Sequence, residues 1–353
     1  MKTNFVNELP QDRKEKTKKS LVWILIFSVA MFFAGLTSAY IVSMGDNFWI
    51  KVAFPNAFWI STFLILLSSL TLVGAIRFAR KGDTKKMRLF LIVTTLLGAL
   101  FGVFQFQGYQ KLVNNGAHVV SQIMVDDGRY GDYYEIKMDG VILNLEGNQY
   151  AKNHEILSDE DNKALRTFAQ NFTVGTTIND NFNIPNYGKT FTLLYKEEPL
   201  ALINGKFKKV NGEELLPVEY DRLTYLARNI IDGRGDFYIA GQLGEDFDLY
   251  YKGKALEYNE RKLFYNGQEL SANMQNKLMR GNSDTSTTYL YLITFLHLLH
   301  IVAGVIMLLS YVRRSFTEDL TISHAISLRS GAIFWHFLGV LWVYLLLFLL
   351  FIH

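Results

Sequence analysis

The sequence predicts an all-α transmembrane bundle of five helices with an inserted α+β domain on the extracytoplasmic side of the membrane. Five segments are apolar and long enough to cross a hydrocarbon core of ~30 Å, which requires about 20 helical residues. Between the third and the fourth of them lies a polar stretch, residues 113–285, that is rich in turn signals. The chain of 353 residues is 50% hydrophobic, which fits a few spans joined to a water-soluble portion.

The predicted spans are residues 21–44, 55–79, 87–112, 286–311 and 329–352. The apolar run of the first is too long for a signal-peptide core and no small-residue cleavage site follows it, so we expect a retained span. Pro55 opens the second span at a first-turn position, where its missing N–H costs nothing. The expected domains are residues 1–112 with the N-terminal tail and helices 1–3, residues 113–285 as the insertion, and residues 286–353 with helices 4 and 5.

Charged residues flank the spans unevenly. Basic residues are concentrated in the N-terminal tail, in the connection between the second and third spans, and around the fourth span. In a bacterial inner membrane, the positive-inside rule then predicts a multi-pass protein with a cytoplasmic N-terminus, and with residues 113–285 and the C-terminus in the periplasm. The insertion holds 19 Lys and Arg against 26 Asp and Glu, a net charge of −7, whereas the whole chain carries +3.

The insertion shows a recurrent pattern of turns and helix starts. Turn pairs of the Asn-Gly type recur about seven residues apart, at positions 139/140 and 146/147, 204/205 and 211/212, and 252/253, 259/260 and 266/267. Such pairs favour two-residue hairpin turns because they tolerate positive φ. Helix starts follow at Ser158, Pro217 and Ser271, which predict helices 159–171, 217–231 and 271–280. We expect three degenerate hairpin–helix repeats, with an ordinary α+β domain as the alternative.

Histidines in the last two spans are the first candidates for chemistry. His297 and His300 share one helix face, and His336 lies on the next span. Counted from the inner ends of their spans, His300 lies ~16 Å deep and His336 ~10 Å deep, which does not favour a shared haem. We expect each imidazole to bond to a neighbouring helix or a lipid headgroup. The spans hold no Cys, Asp or Glu, and their one Lys, Lys111, lies at the end of the third span, so neither a metal site nor a side-chain proton relay is expected.

Small residues form a stripe on the first span at Ala34, Gly35, Ser38 and Ala39, which would let another helix approach closely. Gly98 and Gly102 make a GxxxG pair on the third span. Aromatic residues of the last span, such as Trp335 and Trp342, would pack in the bundle or against acyl chains. These features alone predict only a helix bundle.

Four motifs, in order along the spans, resemble subunit III of the haem-copper terminal oxidases. FSVAMFFAGLTSAY (27–40) looks like a Ser-carboxylate-aliphatic-Phe-Phe segment, and QFQGY (105–109) matches a Gln-x-x-Glu-Tyr sequence. FLHLLHIVAG (295–304) is similar to a G-F-H-G-L-H-V-x-x-G motif, and WHFLGVLW (335–342) to W-H-F-x-x-x-x-W. The resemblance covers all five spans. The insertion has no recognised counterpart, and the two N-terminal spans of longer members are missing, as in other five-span versions.

This chain lacks the acidic residues of those motifs. Val29 and Gly108 stand where the family places carboxylates, and so do Arg329 and Gly339 in the last span. Any role of those acids in proton supply therefore does not carry over. What the resemblance implies is a scaffold that binds no redox centre of its own, holds phospholipid, and stabilises the catalytic subunit.

On this reading the chain is a non-redox subunit III of a respiratory, proton-translocating cytochrome c oxidase complex. The resemblance implies haem and copper in the partner subunits I and II, and bound phospholipid; residues 113–285 would contact a cytochrome c or a larger respiratory supercomplex. No nucleic acid partner is expected. The candidates for lipid or subunit contacts are Phe32, Phe33, Gly35, Ser38, Tyr40, Gln105, His297, His300, Gly304, Trp335, His336 and Trp342.

Two alternatives stay open at the level of sequence. The first is subunit III of a quinol oxidase, in which the electron donor reaches its site through the membrane and needs no acidic docking face. The second is a stand-alone membrane sensor or transporter, which would place polar residues along the spans, where this chain has few ionisable ones.

Overall fold

The computed structural model describes residues 11–45, 48–122, 128–173, 181–274, 283–317 and 322–352. Its long α-helices are α1 Gln11–Met44, α2 Asn56–Arg80, α3 Thr84–Asn114, α4 Asp159–Ala169, α5 Pro217–Ile231, α6 Thr285–Thr317 and α7 Ile322–Phe351. The strands are β1 Phe48–Val52, β2 Ser121–Gln122, β3 Tyr134–Met138, β4 Val141–Glu146, β5 Gln149–Lys152, β6 Glu155–Ile156, β7 Phe191–Tyr195, β8 Glu198–Pro199, β9 Ala201–Ile203, β10 Lys206–Lys208, β11 Phe247–Tyr251, β12 Lys254–Ala255, β13 Glu257–Asn259, β14 Lys262–Tyr265, β15 Gln268–Glu269 and β16 Ser283–Asp284.

The chain divides into two compact units. One, the helix bundle, comprises Met1–Ser43, Phe54–Lys111 and Tyr289–His353. The other, the strand-rich unit, comprises Met44–Ala53 and Leu112–Thr288.

Within the described residues, five helices are long and apolar enough to cross a membrane, as the sequence predicted. These segments are Lys16–Met44, Asn56–Arg80, Thr84–Asn114, Thr285–Thr317 and Ser327–Phe351. The helices themselves extend beyond the apolar windows of the sequence; α1, for example, begins at Gln11. Lys, Arg, Glu and Gln make up most of residues 11–20, the stretch before the first apolar run. These residues are good helix formers, so the helix extends beyond the apolar run.

Helix α2 shows how the bundle is packed. Its buried residues recur at alternating intervals of three and four: Phe58, Ser61, Ile65, Ser68, Leu72 and Ala75. This heptad-like spacing places one narrow face against neighbouring helices. Two of its buried positions are serines, so the seam of α2 carries hydroxyl groups as well as apolar side chains.

The strand-rich unit contains a six-stranded antiparallel sheet in the order β6-β5-β4-β3-β7-β8. At its centre β3 pairs with β7, with Ile136 opposite Leu193, and both side chains are buried. Helices α4 and α5 contribute Leu165, Phe168 and Leu223 to the same core. Phe168 of α4 stacks on Phe191 of β7, with 4.6 Å between ring centroids. A core of this size can support a fold of its own.

Four of the seven turns predicted from sequence have positive φ at both residues, as type I′ hairpin turns require. Asn204 (φ 51°) precedes Gly205, and Asn266 (φ 52°) precedes Gly267. Two predicted turns are displaced by one residue: Glu146 ends β4, so its turn begins at Gly147, and in the other turn positive φ occurs at Glu260 and Arg261 and not at Asn259. Asn259 instead ends β13 and pairs with Lys262, so strand pairing overrides the local preference of asparagine.

Two helices of the insertion begin where their capping signals lie. Ser158 precedes α4, and its hydroxyl accepts a hydrogen bond from the Asp161 amide at 3.2 Å. Pro217 is the first residue of α5, as predicted. The predicted helix 159–171 ends at Ala169 and continues as a 3₁₀ turn, Gln170–Phe172. The third predicted helix, 271–280, is described only to residue 274, and its remainder lies outside the described residues.

Strand β1 is an addition to the insertion that sequence analysis did not foresee. The connection between α1 and α2 forms this strand, which pairs antiparallel with β11, Ile50 opposite Leu249. Trp49 and Ile50 are each only 1% exposed. The α1–α2 connection is therefore part of the strand-rich unit, although residues 113–285 alone were predicted to form it.

A buried ion cluster joins three distant segments of the strand-rich unit. The fully buried Asp236 carboxylate accepts hydrogen bonds from Arg129 at 2.8 Å and from Arg261 at 2.9 Å. The Tyr258 hydroxyl donates to the other carboxylate oxygen. Buried charges require such pairing, because an isolated carboxylate loses its hydration. The cluster links the loop before β3, the segment after α5, and the β13–β14 hairpin.

Glu219 in the first turn of α5 is a buried carboxylate held by several donors. Lys209 Nζ lies 2.9 Å from it and the Leu216 amide donates at 2.7 Å. Burial would raise the pKa of Glu219, but the hydrogen bonds from Tyr195, Lys209 and the Leu216 amide hold this pKa below its ordinary value of 4.5. A depressed folded pKa stabilises the fold above the unfolded pKa, and the stabilisation is lost as pH falls through the folded pKa.

We therefore expect the strand-rich unit of the full chain to lose stability as pH is lowered through 4.5 and below, and the Glu219→Gln variant to lose less. Hydrogen exchange of α5 amides as a function of pH measures this. The Glu213→Gln variant, at an exposed carboxylate, is the control. An unchanged pH dependence in Glu219→Gln would contradict the prediction.

Candidate functional site in the helix bundle

Trp335 of α7 lies at the centre of the helix bundle and is completely buried. Its indole occupies a slot between two glycines: a Cβ at Gly98 would lie 2.6 Å from the ring, and one at Gly304 would lie 2.9 Å from it. The indole Nε1–H donates to Ser68 Oγ of α2 at 3.0 Å. A single side chain of α7 thus contacts α2, α3 and α6, and both glycines are needed to admit it.

Two further polar side chains of α7 bond to other helices. Trp342 Nε1 donates to Thr62 Oγ1 of α2 at 2.8 Å. The Tyr344 hydroxyl and Thr37 Oγ1 of α1 lie 3.0 Å apart. In lipid these hydrogen bonds replace the hydration that water would provide, so they favour one arrangement of helices.

His297 is completely buried in an aromatic cage. Its ring lies against Trp342, with centroids 5.2 Å apart, and against Phe101 at 5.9 Å and Phe33 at 6.5 Å. Its Nε2 lies 3.0 Å from the backbone carbonyl of Leu338 on α7. A carbonyl only accepts, so Nε2 carries the proton and donates to a neighbouring helix, as expected from the sequence. Nδ1 is then an acceptor, and it has no hydrogen-bond partner among the described residues.

His300 and His336 differ from His297. His300 Nδ1 lies 2.7 Å from the Leu296 carbonyl, so it bonds within its own helix and not to a neighbour. It also contacts Phe33, with ring centroids 5.7 Å apart. His336 is half-buried on α7. The reason for the difference is position: His297 faces the bundle interior, whereas His300, nearly a turn further, lies at its margin.

Phe33 and Tyr40 of α1 are buried, and through these two side chains the first motif (27–40) packs against the other helices. Phe33 contacts both His297 and His300. Tyr40 is completely buried and makes edge contacts with Tyr289 of α6 and Phe348 of α7, at 5.6 and 5.2 Å between centroids. The N-terminal motif is thereby fixed to α6 and α7.

Gln105 of α3 is the one buried amide among the candidates. Its Nε2 donates to Ser61 Oγ of α2 at 2.8 Å, and its Oε1 has no hydrogen-bond partner among the described residues. One turn further, Gly108 lies beneath the ring of Phe58, where a Cβ would be 2.8 Å from Cδ1. A glutamate at 108 would collide with this ring, which gives a packing reason for the missing carboxylate. Val29 is also buried.

The remaining candidates lie on the face of α1 that points away from the other described helices. Phe32 is 48% exposed, and Gly35 and Ser38 are also exposed. A Cβ on Gly35 would meet nothing within 4 Å. The small-residue stripe therefore faces away from the described helices of this chain, and it does not join the cluster around His297 and Trp335.

Sequence analysis missed three residues of this site: Ser61, Thr62 and Ser68 of α2, the hydroxyl acceptors for Gln105, Trp342 and Trp335. Ser61 and Ser68 are seven residues apart and completely buried. Small polar residues at heptad spacing within an apolar span are the signal that could have identified them.

No group of three or more His, Cys, Asp or Glu side chains that could hold a metal ion occurs within the part of the chain that the structure describes. The arrangement can fix helices relative to one another through packing and hydrogen bonds.

Comparison with known proteins matches the part of the site that α6 and α7 contribute. Residues 279–353, which contain all of α6 and α7, match the family model for cytochrome c oxidase subunit III. A 58-residue segment is 38% identical to cytochrome c oxidase subunit 3 of Pyricularia grisea. The alignment covers 16% of this chain and 22% of the fungal protein, so the chain matches about a fifth of that relative's length.

Proposed function

Because residues 279–353 belong to the cytochrome c oxidase subunit III family, we propose that the whole chain is a non-catalytic subunit III of a haem-copper oxidase. The observation that carries this proposal is the position of the matched helices in the bundle. Trp335 and Trp342 of α7 bond to α2, Tyr344 contacts α1, and Gly98 of α3 admits Trp335. The unmatched helices α1–α3 are thus built around the matched pair.

In this role the bundle stabilises the catalytic subunit of the complex, and haem and copper belong to the partner subunits I and II. The exposed small residues Gly35 and Ser38 on α1 offer one face for close helix contact with a partner. The bundle also binds phospholipid. The location is a bacterial inner membrane with the N-terminus in the cytoplasm. Pairing of β1 with β11 supports the placement of the α1–α2 connection and the insertion on one side of the membrane, and the basic residues that flank the spans support the orientation.

Co-purification tests this function. A tagged full-length chain isolated from its native membranes should carry along a haem protein, visible in the reduced-minus-oxidised spectrum, and the chain expressed alone should show no haem band. We expect the native complex to include a subunit II with a dinuclear copper domain, which distinguishes a cytochrome c oxidase from a quinol oxidase. Isolation of the native chain without any haem protein would favour a stand-alone sensor or transporter.

The strand-rich insertion is proposed to act first in assembly of a larger respiratory complex and second in steering a basic electron carrier such as a cytochrome c. Its net charge of −7 supports attraction of a basic partner. Its buried core supports a rigid contact surface. The two roles differ in salt response, because exposed charges are screened over ~8–10 Å near physiological ionic strength whereas a packed interface is not.

Replacing residues 116–282 with a short Gly/Ser linker should therefore leave haem content and oxygen reduction largely intact and release the oxidase from a larger assembly on native gels. The deletion exposes the buried face of β1, so Trp49→Ser and Ile50→Ser accompany it. The full chain carrying only these two substitutions is the control. If the assembly stays whole and a salt-sensitive part of donor oxidation is lost, steering is the role.

We also propose that the insertion consists of three hairpin–helix repeats. Each proposed repeat begins with a hairpin whose turn has positive φ at Asp139, at Asn204 or at Lys252. The first two continue into α4 and α5. This regular order supports duplication of one unit.

A further inference from the structure

Helices α2 and α3 form a surface groove of about 640 Å³ at the end of the membrane segment of α2. Part of the groove is lined by apolar side chains and one glycine: Leu70, Val73, Gly74, Phe78 and Phe90. The rest is cationic: Arg77, Arg80 and Lys81, in the last turn of α2 and at its C-cap. From Leu70 to Lys81 the groove follows three turns of helix, roughly 16 Å at 1.5 Å per residue.

Gly74 determines the shape of this groove. A Cβ at this position would lie 2.7 Å from Cδ1 of Phe90, so only glycine lets that ring lie against α2. Phe90 in turn packs on Phe78, with centroids 5.2 Å apart. Leu70, further into the membrane segment, is 69% exposed. The apolar part is thus a fixed surface that is open to the hydrocarbon of a bilayer.

The three cations have no carboxylate within ion-pair distance among the described residues. The single acidic residue of the α2–α3 connection, Asp83, is paired with Lys86 at 3.3 Å. The negative end of the α2 dipole favours cations here, but it amounts to only about half a charge. Within the part of the chain that the structure describes, most of the positive charge beside the groove therefore lacks a counterion.

We propose that this groove binds an anionic phospholipid, with an acyl chain along Leu70, Val73 and Phe90 and the phosphate headgroup against Arg77, Arg80 and Lys81. An apolar channel that ends in unpaired cations matches a lipid with net negative charge better than a zwitterionic one. The inference specifies a site and a headgroup class for the phospholipid in the proposed function. It rests only on α2 and α3 crossing a bilayer, so the chain binds this lipid whether or not it joins an oxidase.

Native mass spectrometry of the detergent-purified full chain, titrated with dioleoylphosphatidylglycerol or dioleoylphosphatidylcholine, tests the site. Phosphatidylglycerol should bind first and more tightly. The triple variant Arg77→Gln/Arg80→Gln/Lys81→Gln should bind it about fivefold more weakly per lost cation, since a charge near an anionic surface contributes about 1 kcal/mol. The matched control, Lys85→Gln/Arg313→Gln/Arg314→Gln, removes equal charge on the same side of the membrane but outside the groove.

Equal weakening in both triple variants, or equal affinity for the two lipids, would overturn the site. If millimolar glycerol 3-phosphate displaces phosphatidylglycerol, the groove is a site for soluble phosphate compounds and the lipid proposal is overturned. The Val73→Trp variant keeps the charge and fills the apolar part, so it should weaken binding of both lipids. Unchanged binding in that variant would overturn the acyl-chain part of the proposal.

Discussion

Replacing Trp335 with alanine should lower the free energy of unfolding of the helix bundle by about 3–5 kcal/mol, the range for removing a large aromatic side chain from a packed core. The indole is completely buried between Gly98 and Gly304, so its loss leaves a cavity that rigid helices cannot close. The loss also leaves Ser68 Oγ without its donor. Unfolding of the full chain in mixed micelles by increasing SDS, followed by circular dichroism, measures the change.

Trp23→Ala is the matched control for this prediction, because Trp23 lies on α1 and is 59% exposed. We expect it to change stability by much less. Ser68→Ala separates the two contributions at Trp335: it removes only the hydrogen bond, which contributes about 1 kcal/mol. Similar effects of Trp335→Ala and Trp23→Ala would show that the slot is not a stabilising centre of the bundle.

Substitution of Asp236 should have an effect of similar size in the strand-rich unit. The Asp236→Asn variant should lose about 3–5 kcal/mol, because removing one partner of a buried ion cluster leaves uncompensated charge. Here Arg129 and Arg261 would remain close together without the carboxylate that both contact. Limited proteolysis and hydrogen exchange of the full chain should show opening of the β13–β14 hairpin and of the loop before β3.

The control for Asp236 is Asp139→Asn. Asp139 pairs with Lys152 at 3.2 Å, but its side chain is 54% exposed. Exposed pairs of this kind contribute about 0–1 kcal/mol, so proteolysis should be almost unchanged. If both variants open the hairpin equally, the buried cluster is not what joins the three segments.

The sequence by itself determined the features that depend on local composition. The five spans follow from apolar runs, the hairpin turns from pairs such as Asn204-Gly205, and the start of α5 from Pro217. These signals act within a few residues, because helix starts and tight turns are governed by nearby backbone and side-chain preferences. The motif residues His297 and Trp335 were also identified from sequence, although their contacts were not.

Only the tertiary structure decided which of these residues meet. Ser68 accepts from Trp335 across 267 residues of chain, and Arg129 meets Asp236 across 107. Strand β1 belongs to the insertion because its partner β11 lies nearly 200 residues further along the sequence. The turn at Glu260 and Arg261 is displaced by strand register. Such pairings depend on the whole fold, since a hydroxyl or a carboxylate has no local preference for a distant partner; burial makes the pairing necessary, and topology selects the partner.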